Sequence, residues 1–214
     1  LIKAILWDND GVLVDTEPLY FRATREILAR VGVELTQELY VEHILRDSQG
    51  AWHLAAERGV SPEEIDRMRD ERNARYEQLL RRGNTVIDGA QETLANLHGK
   101  FVMGIVTSSR PDHFEIIHQS TGLLGYFDFV VTSLCYTHYK PHPEPYLVGL
   151  ERTGCTRDEC IVIEDSPRGL AAANAASMRC LVIPTELTQG DDFAGAYMVL
   201  NDVTEVTPEL LKSI

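Results

Sequence analysis

The chain has 214 residues, 44% of them apolar and 25% charged, with a formal net charge of −13. That apolar share supports a buried core and excludes a disordered chain. The acidic balance excludes the basic face that nucleic acids require and argues against docking on an anionic membrane. Four cysteines (Cys135, Cys155, Cys160 and Cys180) form neither a disulfide scaffold nor a zinc-type spacing. There is no signal-peptide pattern, and no apolar run approaches the roughly 18 residues of a membrane span. A reducing, cytoplasmic compartment is expected.

Ile2–Trp7 opens the chain as a nearly continuous apolar run, the pattern of a strand covered on both faces. Residues 16–87 then lack strand signals. Helices are expected over Glu17–Val31, Gln37–Leu45 and Gln49–Arg58. A longer polar helix starts at the Ser61-Pro62-Glu63-Glu64 capping box and ends near Gly83-Asn84. Asp88-Gly89-Ala90-Gln91 reads as a second capping box. Beyond it, strand-like runs recur at Phe101–Thr107, Phe129–Thr132, Cys160–Ile163, Cys180–Ile183 and Tyr197–Leu200. Helical stretches at His113–Thr121, Glu144–Thr153 and Leu170–Ala176 separate several of them. This alternation predicts a doubly wound, mainly parallel α/β sheet, formed by residues 1–15 and 88–214. Residues 16–87 are expected as an inserted all-helical cap. An insertion after the first strand lies at its carboxyl end, where open α/β sheets bind ligands, so the cap reads as a lid.

Chemistry-bearing residues gather where strands end. Asp8 and Asp10 leave the first strand two residues apart, either crowding each other around a cation or making an Asp-Gly turn with Gly11. Thr107, Ser108 and Ser109 lead into a helix, as an anion site or an ordinary cap. Lys140, one of only four lysines, stands in a proline-stiffened loop ahead of a helix. His138 and His142 flank it, either tuning its field or simply exposed. Glu164 and Asp165 end a further strand. Four carboxylates at one sheet edge are unfavourable unless a divalent cation offsets them, and hard oxygen donors favour Mg²⁺.

These four segments, in this order and with a helical insertion after the first, resemble the haloacid dehalogenase superfamily, nearest its β-phosphoglucomutase-like phosphatase branch. The resemblance covers essentially the whole chain. It implies Asp8 as a nucleophile that forms an aspartyl-phosphate and Asp10 as general acid and base. Thr107, Ser108 and Lys140 would hold phosphoryl oxygens. Mg²⁺ would bind the Asp8 carboxylate, the Asp10 carbonyl and Asp165, with Glu164 as a direct ligand or a residue supporting one. The expected activity is a Mg²⁺-dependent phosphatase for a small phosphorylated metabolite, such as a sugar phosphate. The chain is expected to be a monomer or weak homodimer.

Related chemistries fit less well. The superfamily's dehalogenases lack the second aspartate, present here as Asp10. Phosphonate cleavage requires a lid lysine, and residues 4–99 contain none. The alternative is a phosphoryl-transferring mutase. Its lid segment carries lysine, whereas Leu45–Ala51 here offers only Arg46, and Tyr20 replaces a histidine. A non-catalytic phospholigand-binding or interaction protein on the same fold is a further reading. Trp52 and His53 are expected to be cap core or substrate contacts.

Overall fold

The computed structural model describes residues 1–46, 50–83 and 85–214. By contact the chain divides into two units, Leu1–Asp15 with Thr85–Ile214, and Thr16–Asn84. In the first unit, β1 (Ala4–Trp7), β2 (Val102–Val106), β3 (Phe129–Val131), β4 (Cys160–Glu164), β5 (Arg179–Val182) and β6 (Met198–Val199) form one sheet. Its order is β3-β2-β1-β4-β5-β6, and every pairing is parallel. All four residues of β1 and all five of β4 are buried, which explains why these strands show unbroken apolar texture rather than alternation. The sequence order reverses at the β1–β4 pair. A crevice opens at such a point beyond the carboxyl ends of the strands. Trp7 is in register with both Ile105 and Ile163, so the residues following β1, β2 and β4 emerge at one level.

The second unit is helical. It contains α1 (Glu17–Leu28), α2 (Gln37–Tyr40), α3 (Trp52–Ala56) and α4 (Pro62–Leu80). Ser61 caps α4 by accepting the Glu64 N–H at 3.3 Å. Ile65, Met68, Arg72, Tyr76 and Leu79 make a buried stripe along α4 at three- and four-residue spacing. Arg72 lies 4.3 Å from the Tyr20 ring centroid and 5.6 Å from that of Trp52, so its guanidinium is sandwiched in the aromatic interior. Trp52 is buried there, in the interior of the helical unit. The expected Gln37–Leu45 helix is α-helical only to Tyr40 and continues as a π-helical segment, Val41–Arg46. The helix expected over Gln49–Arg58 is confined to α3. Asp47, Ser48 and Gln49 lie outside the described residues, as does Asn84.

The remaining helices belong to the sheet unit: α5 (Ala90–Leu97), α6 (Pro111–His118), α7 (Glu144–Thr153), α8 (Pro167–Ala175) and α9 (Pro208–Ser213). The expected capping box at Asp88 does not form. Gly89, at φ +81°, is the N-cap and supplies no side-chain bond. A capping box forms instead at Thr156 and Glu159, ahead of β4. Residues 85–87 pair with the chain leaving β1. Asp15 N–H donates to the Thr85 carbonyl at 2.7 Å, and Ile87 N–H donates to Leu13 at 3.0 Å. No helix among the described residues is long and apolar enough to cross a membrane.

Candidate active site

β1 delivers Asp8 into a buried cluster. Lys140 Nζ donates to Asp8 Oδ1 at 2.8 Å, to Glu164 Oε1 at 2.7 Å and to the Val106 carbonyl at 3.1 Å. The lysine is only 3% exposed, and its ammonium lies 4.7 Å from the Tyr146 ring centroid. Burial alone would lower the Lys140 pKa, but the two carboxylates outweigh it and hold the ammonium charged, above its ordinary value.

Glu164 is fully enclosed, with both oxygens engaged. Oε1 accepts from Lys140 and, at 2.5 Å, from the Tyr146 hydroxyl. Oε2 accepts from the Asp165 N–H and the Ser166 hydroxyl, each at 3.2 Å. Burial would raise this carboxyl. Lys140 and the hydrogen bonds reverse the effect and keep it ionised, below its ordinary value. Gly169 packs so tightly here that a Cβ would fall 1.9 Å from the Glu164 carboxyl. Ser166 caps α8 through the Gly169 N–H at 3.1 Å. One strand-to-helix turn thus fixes both Glu164 and the helix behind it.

Asp8 bears the surplus negative charge. Burial, reinforced by Glu164, pushes its carboxyl up to about 7 despite Lys140. Carboxylate oxygens of Asp8, Glu164 and Asp165 lie within 4.8 Å of one another. Gly11 closes the turn after β1 at φ +85°, and a Cβ there would lie 2.1 Å from Asp165 Oδ2. The turn therefore requires glycine twice over, for its backbone and for its contact with Asp165. Mostly buried anions facing one lysine, with oxygen-only donors, suit a small hard divalent cation. Asp8 and Asp165 are the residues placed to hold one, since both oxygens of Glu164 are committed to Lys140, Tyr146 and its own turn.

Asp10 is held separately. Its Oδ2 accepts from the Ser109 hydroxyl at 2.6 Å, the Thr107 hydroxyl at 3.2 Å and the Asn9 amide at 3.3 Å. Asn9, fully buried, contacts His118 Nε2 through Oδ1 at 2.8 Å, and Thr121 meets the other ring nitrogen at 3.0 Å. Burial pulls the His118 pKa down to about 4, so the ring is neutral near pH 7 and donates to Asn9. Thr107 is fully buried at the end of β2, and the Tyr136 hydroxyl donates to its carbonyl at 2.9 Å.

The structure thus gathers Asp8, Asp10, Thr107, Lys140, Glu164 and Asp165 at one sheet edge, with Ser108 half-buried beside Thr107. The serine hydroxyl that joins Thr107 on Asp10 is that of Ser109, the next residue. Sequence reading did not single out Asn9, His118 or Tyr146. Only Asn9 carried a local signal, as the residue between two aspartates at the end of a buried strand.

A model of the haloacid dehalogenase-like hydrolases matches residues 5–183, from β1 through β5. The chain belongs to that family. This hydrolase is 29% identical to hexitol phosphatase B of Escherichia coli O157:H7, an alignment spanning 96% of this chain and 95% of the relative. A crystal structure of a CbbY variant from Rhodobacter sphaeroides, in complex with xylulose-(1,5)bisphosphate, superposes with TM-score 0.80 at 26% identity, covering 96% of each chain. β-Phosphoglucomutase from Clostridium difficile shares the fold, with TM-score 0.84 at 22% identity over all of this chain and 96% of its own.

Proposed function

We propose that this hydrolase cleaves the phosphate monoester of a small sugar or polyol through a phosphoryl group carried on Asp8. The observation that carries this reading is the pairing of Lys140 with Asp8 at 2.8 Å beside an independently anchored Asp10. It provides a carboxylate nucleophile, a fixed cation beside it and a second carboxylate to move protons. The sugar-phosphate chemistry in the names of the relatives supports the substrate class.

In the first step an Asp8 oxygen bonds to phosphorus as the ester P–O bond breaks. Asp10 gives its proton to the departing alkoxide, which leaves as the alcohol. In the second, Asp10 takes a proton from water, the water oxygen bonds to phosphorus, and the Asp8–P bond breaks to release phosphate. Lys140 and the Thr107 hydroxyl face the phosphoryl oxygens, with Ser108 adding a donor, while Glu164 and Tyr146 keep Lys140 in place. Mg²⁺, held by Asp8, Asp165 and the Asp10 carbonyl, would offset the repulsion between an anionic ester and an anionic nucleophile.

The test is phosphate release from a panel of phosphorylated sugars and polyols, with and without Mg²⁺. Turnover is expected only with Mg²⁺. Asp8→Asn should lower it by at least about 10⁴-fold while the protein remains folded. Equal turnover by the variant, or release unaffected by chelation of Mg²⁺, overturns the mechanism. An isomerised sugar phosphate without free phosphate would establish a mutase instead.

A further inference from the structure

The loop that carries Lys140 presents a different group of side chains to solvent. Lys140 turns inward, whereas the His138 and His142 side chains are 62% and 49% exposed. Their rings stack with centroids 4.5 Å apart and planes tilted by 31°. Both face one carboxylate. Glu144 Oε2 is 2.6 Å from His138 Nδ1 and 3.9 Å from His142 Nδ1. One donor atom from each residue lies within 4.8 Å of the other two. We propose that His138, His142 and Glu144 form a second cation site, with two nitrogens and one oxygen, for a borderline transition-metal ion of the Zn²⁺ class.

The carboxylate is already fixed. Glu144 Oε1 accepts the Thr137 N–H and Oε2 the His138 N–H, both at 2.9 Å. These bonds, led by that of Thr137, hold its pKa down to about 2, so it stays ionised. The nitrogens are suitably prepared. His142 Nδ1 accepts the Glu144 N–H at 3.2 Å, so that nitrogen is unprotonated, and a metal ion takes the place of that N–H at its lone pair. His138 Nδ1 approaches Glu144 Oε2 as a hydrogen-bond donor, and a metal ion takes the place of that proton. Zinc bonds to nitrogen and oxygen of about 2.0–2.2 Å put tetrahedral donors roughly 3.5 Å apart. The observed spacings bracket that value, so small side-chain rotations close the site while water takes the outer positions.

The donor set separates this site from the carboxylate cluster. Imidazole nitrogen favours Zn²⁺, Ni²⁺ or Cu²⁺ over Mg²⁺, while oxygen-only donors favour Mg²⁺. The two sites nevertheless share a short stretch of chain, with His138 and His142 each two residues from Lys140. An ion bound outside would fasten the loop on which the buried lysine stands.

The experiment is a calorimetric titration of the full chain with Zn²⁺ in saturating Mg²⁺, which keeps the carboxylate cluster filled. One Zn²⁺ per chain is expected. A His138→Ala/His142→Ala double variant should lose affinity by at least about 100-fold and keep its basal phosphate release. Cu²⁺ as a spectroscopic probe of the unaltered protein should show nitrogen hyperfine coupling from two imidazoles, and this readout stands even where the double variant folds poorly. Absence of uptake in Mg²⁺, uptake unchanged by the double substitution, or a Cu²⁺ spectrum without nitrogen coupling overturns the site.

Discussion

Glu164 in the sheet unit and Glu26 in the helical unit are the same residue type, and both have pKa values below the ordinary range. Their surroundings differ. Glu26 accepts from Arg75 at 2.6 and 3.2 Å and from Arg22 at 2.9 Å, and its side chain remains 35% exposed. The hydrogen bonds from Arg75 lead in bringing its pKa to about 2. Glu164 has no exposure, and its counter-charge is a lysine that is itself buried. Water screens the first arrangement and is absent from the second, so similar contacts carry different weight. Around Glu26 charge decorates a surface. In the sheet unit it holds together a site that burial would otherwise expel.

That contrast can be broken at several points. The largest effect is expected in catalysis. Asp10→Asn should cut phosphate release by about 10²–10⁴-fold, because proton transfer is lost while the side chain still fits among Ser109, Thr107 and Asn9. Mg²⁺ affinity, measured by titration, should be largely kept, since the proposed contact is a main-chain carbonyl. A large loss of affinity would contradict that role. Next, Glu164→Gln leaves Lys140 buried with a weakened partner and should destabilise the fold by about 3–5 kcal/mol in urea unfolding. A change below 1 kcal/mol would place Glu164 in the same class as Glu26.

A pH effect of about 3 kcal/mol is expected from His118. Its pKa is near 4 in the folded chain and near 6.5 when unfolded. Below 6.5 the unfolded chain takes up a proton that the buried ring does not. The contribution is therefore complete above pH 6.5 and is lost progressively as pH falls toward 4. Denaturant melts across that interval should show the slope, and His118→Gln should flatten it. The smallest effect is expected from Glu26→Gln, at most about 1 kcal/mol and diminished further by salt.

The same contrast explains what could be read in advance. Strands were legible because burial on both faces leaves continuous apolar runs, and Asp8, Lys140 and Asp165 because they stand at the ends of such runs or in stiff loops. Ser61 was legible as a cap because capping is local chemistry. Asp88 misled for a tertiary reason. Gly89 takes the N-cap, and a Cβ there would fall 2.3 Å from Thr204. The π-helical turn after Tyr40 has no spacing signature distinct from a helix. Tyr146, His118 and the bond from Ser109 to Asp10 became visible only once the sheet had set their neighbours, because hydrogen bonds to distant residues leave no mark in local periodicity.

The parallel sheet also sets the order in which the protein becomes competent. The Lys140–Asp8 bond joins residues 132 positions apart, and the Thr107–Asp10 bond spans 97. Contacts of such separation form late, because loop closure must precede them. A chain with its helices formed but β1 not yet seated between β2 and β4 has every one of these residues and no site. Recovery of phosphate release during refolding should therefore lag behind helix formation and coincide with closure of the sheet, making turnover a clock for the last long-range pairing.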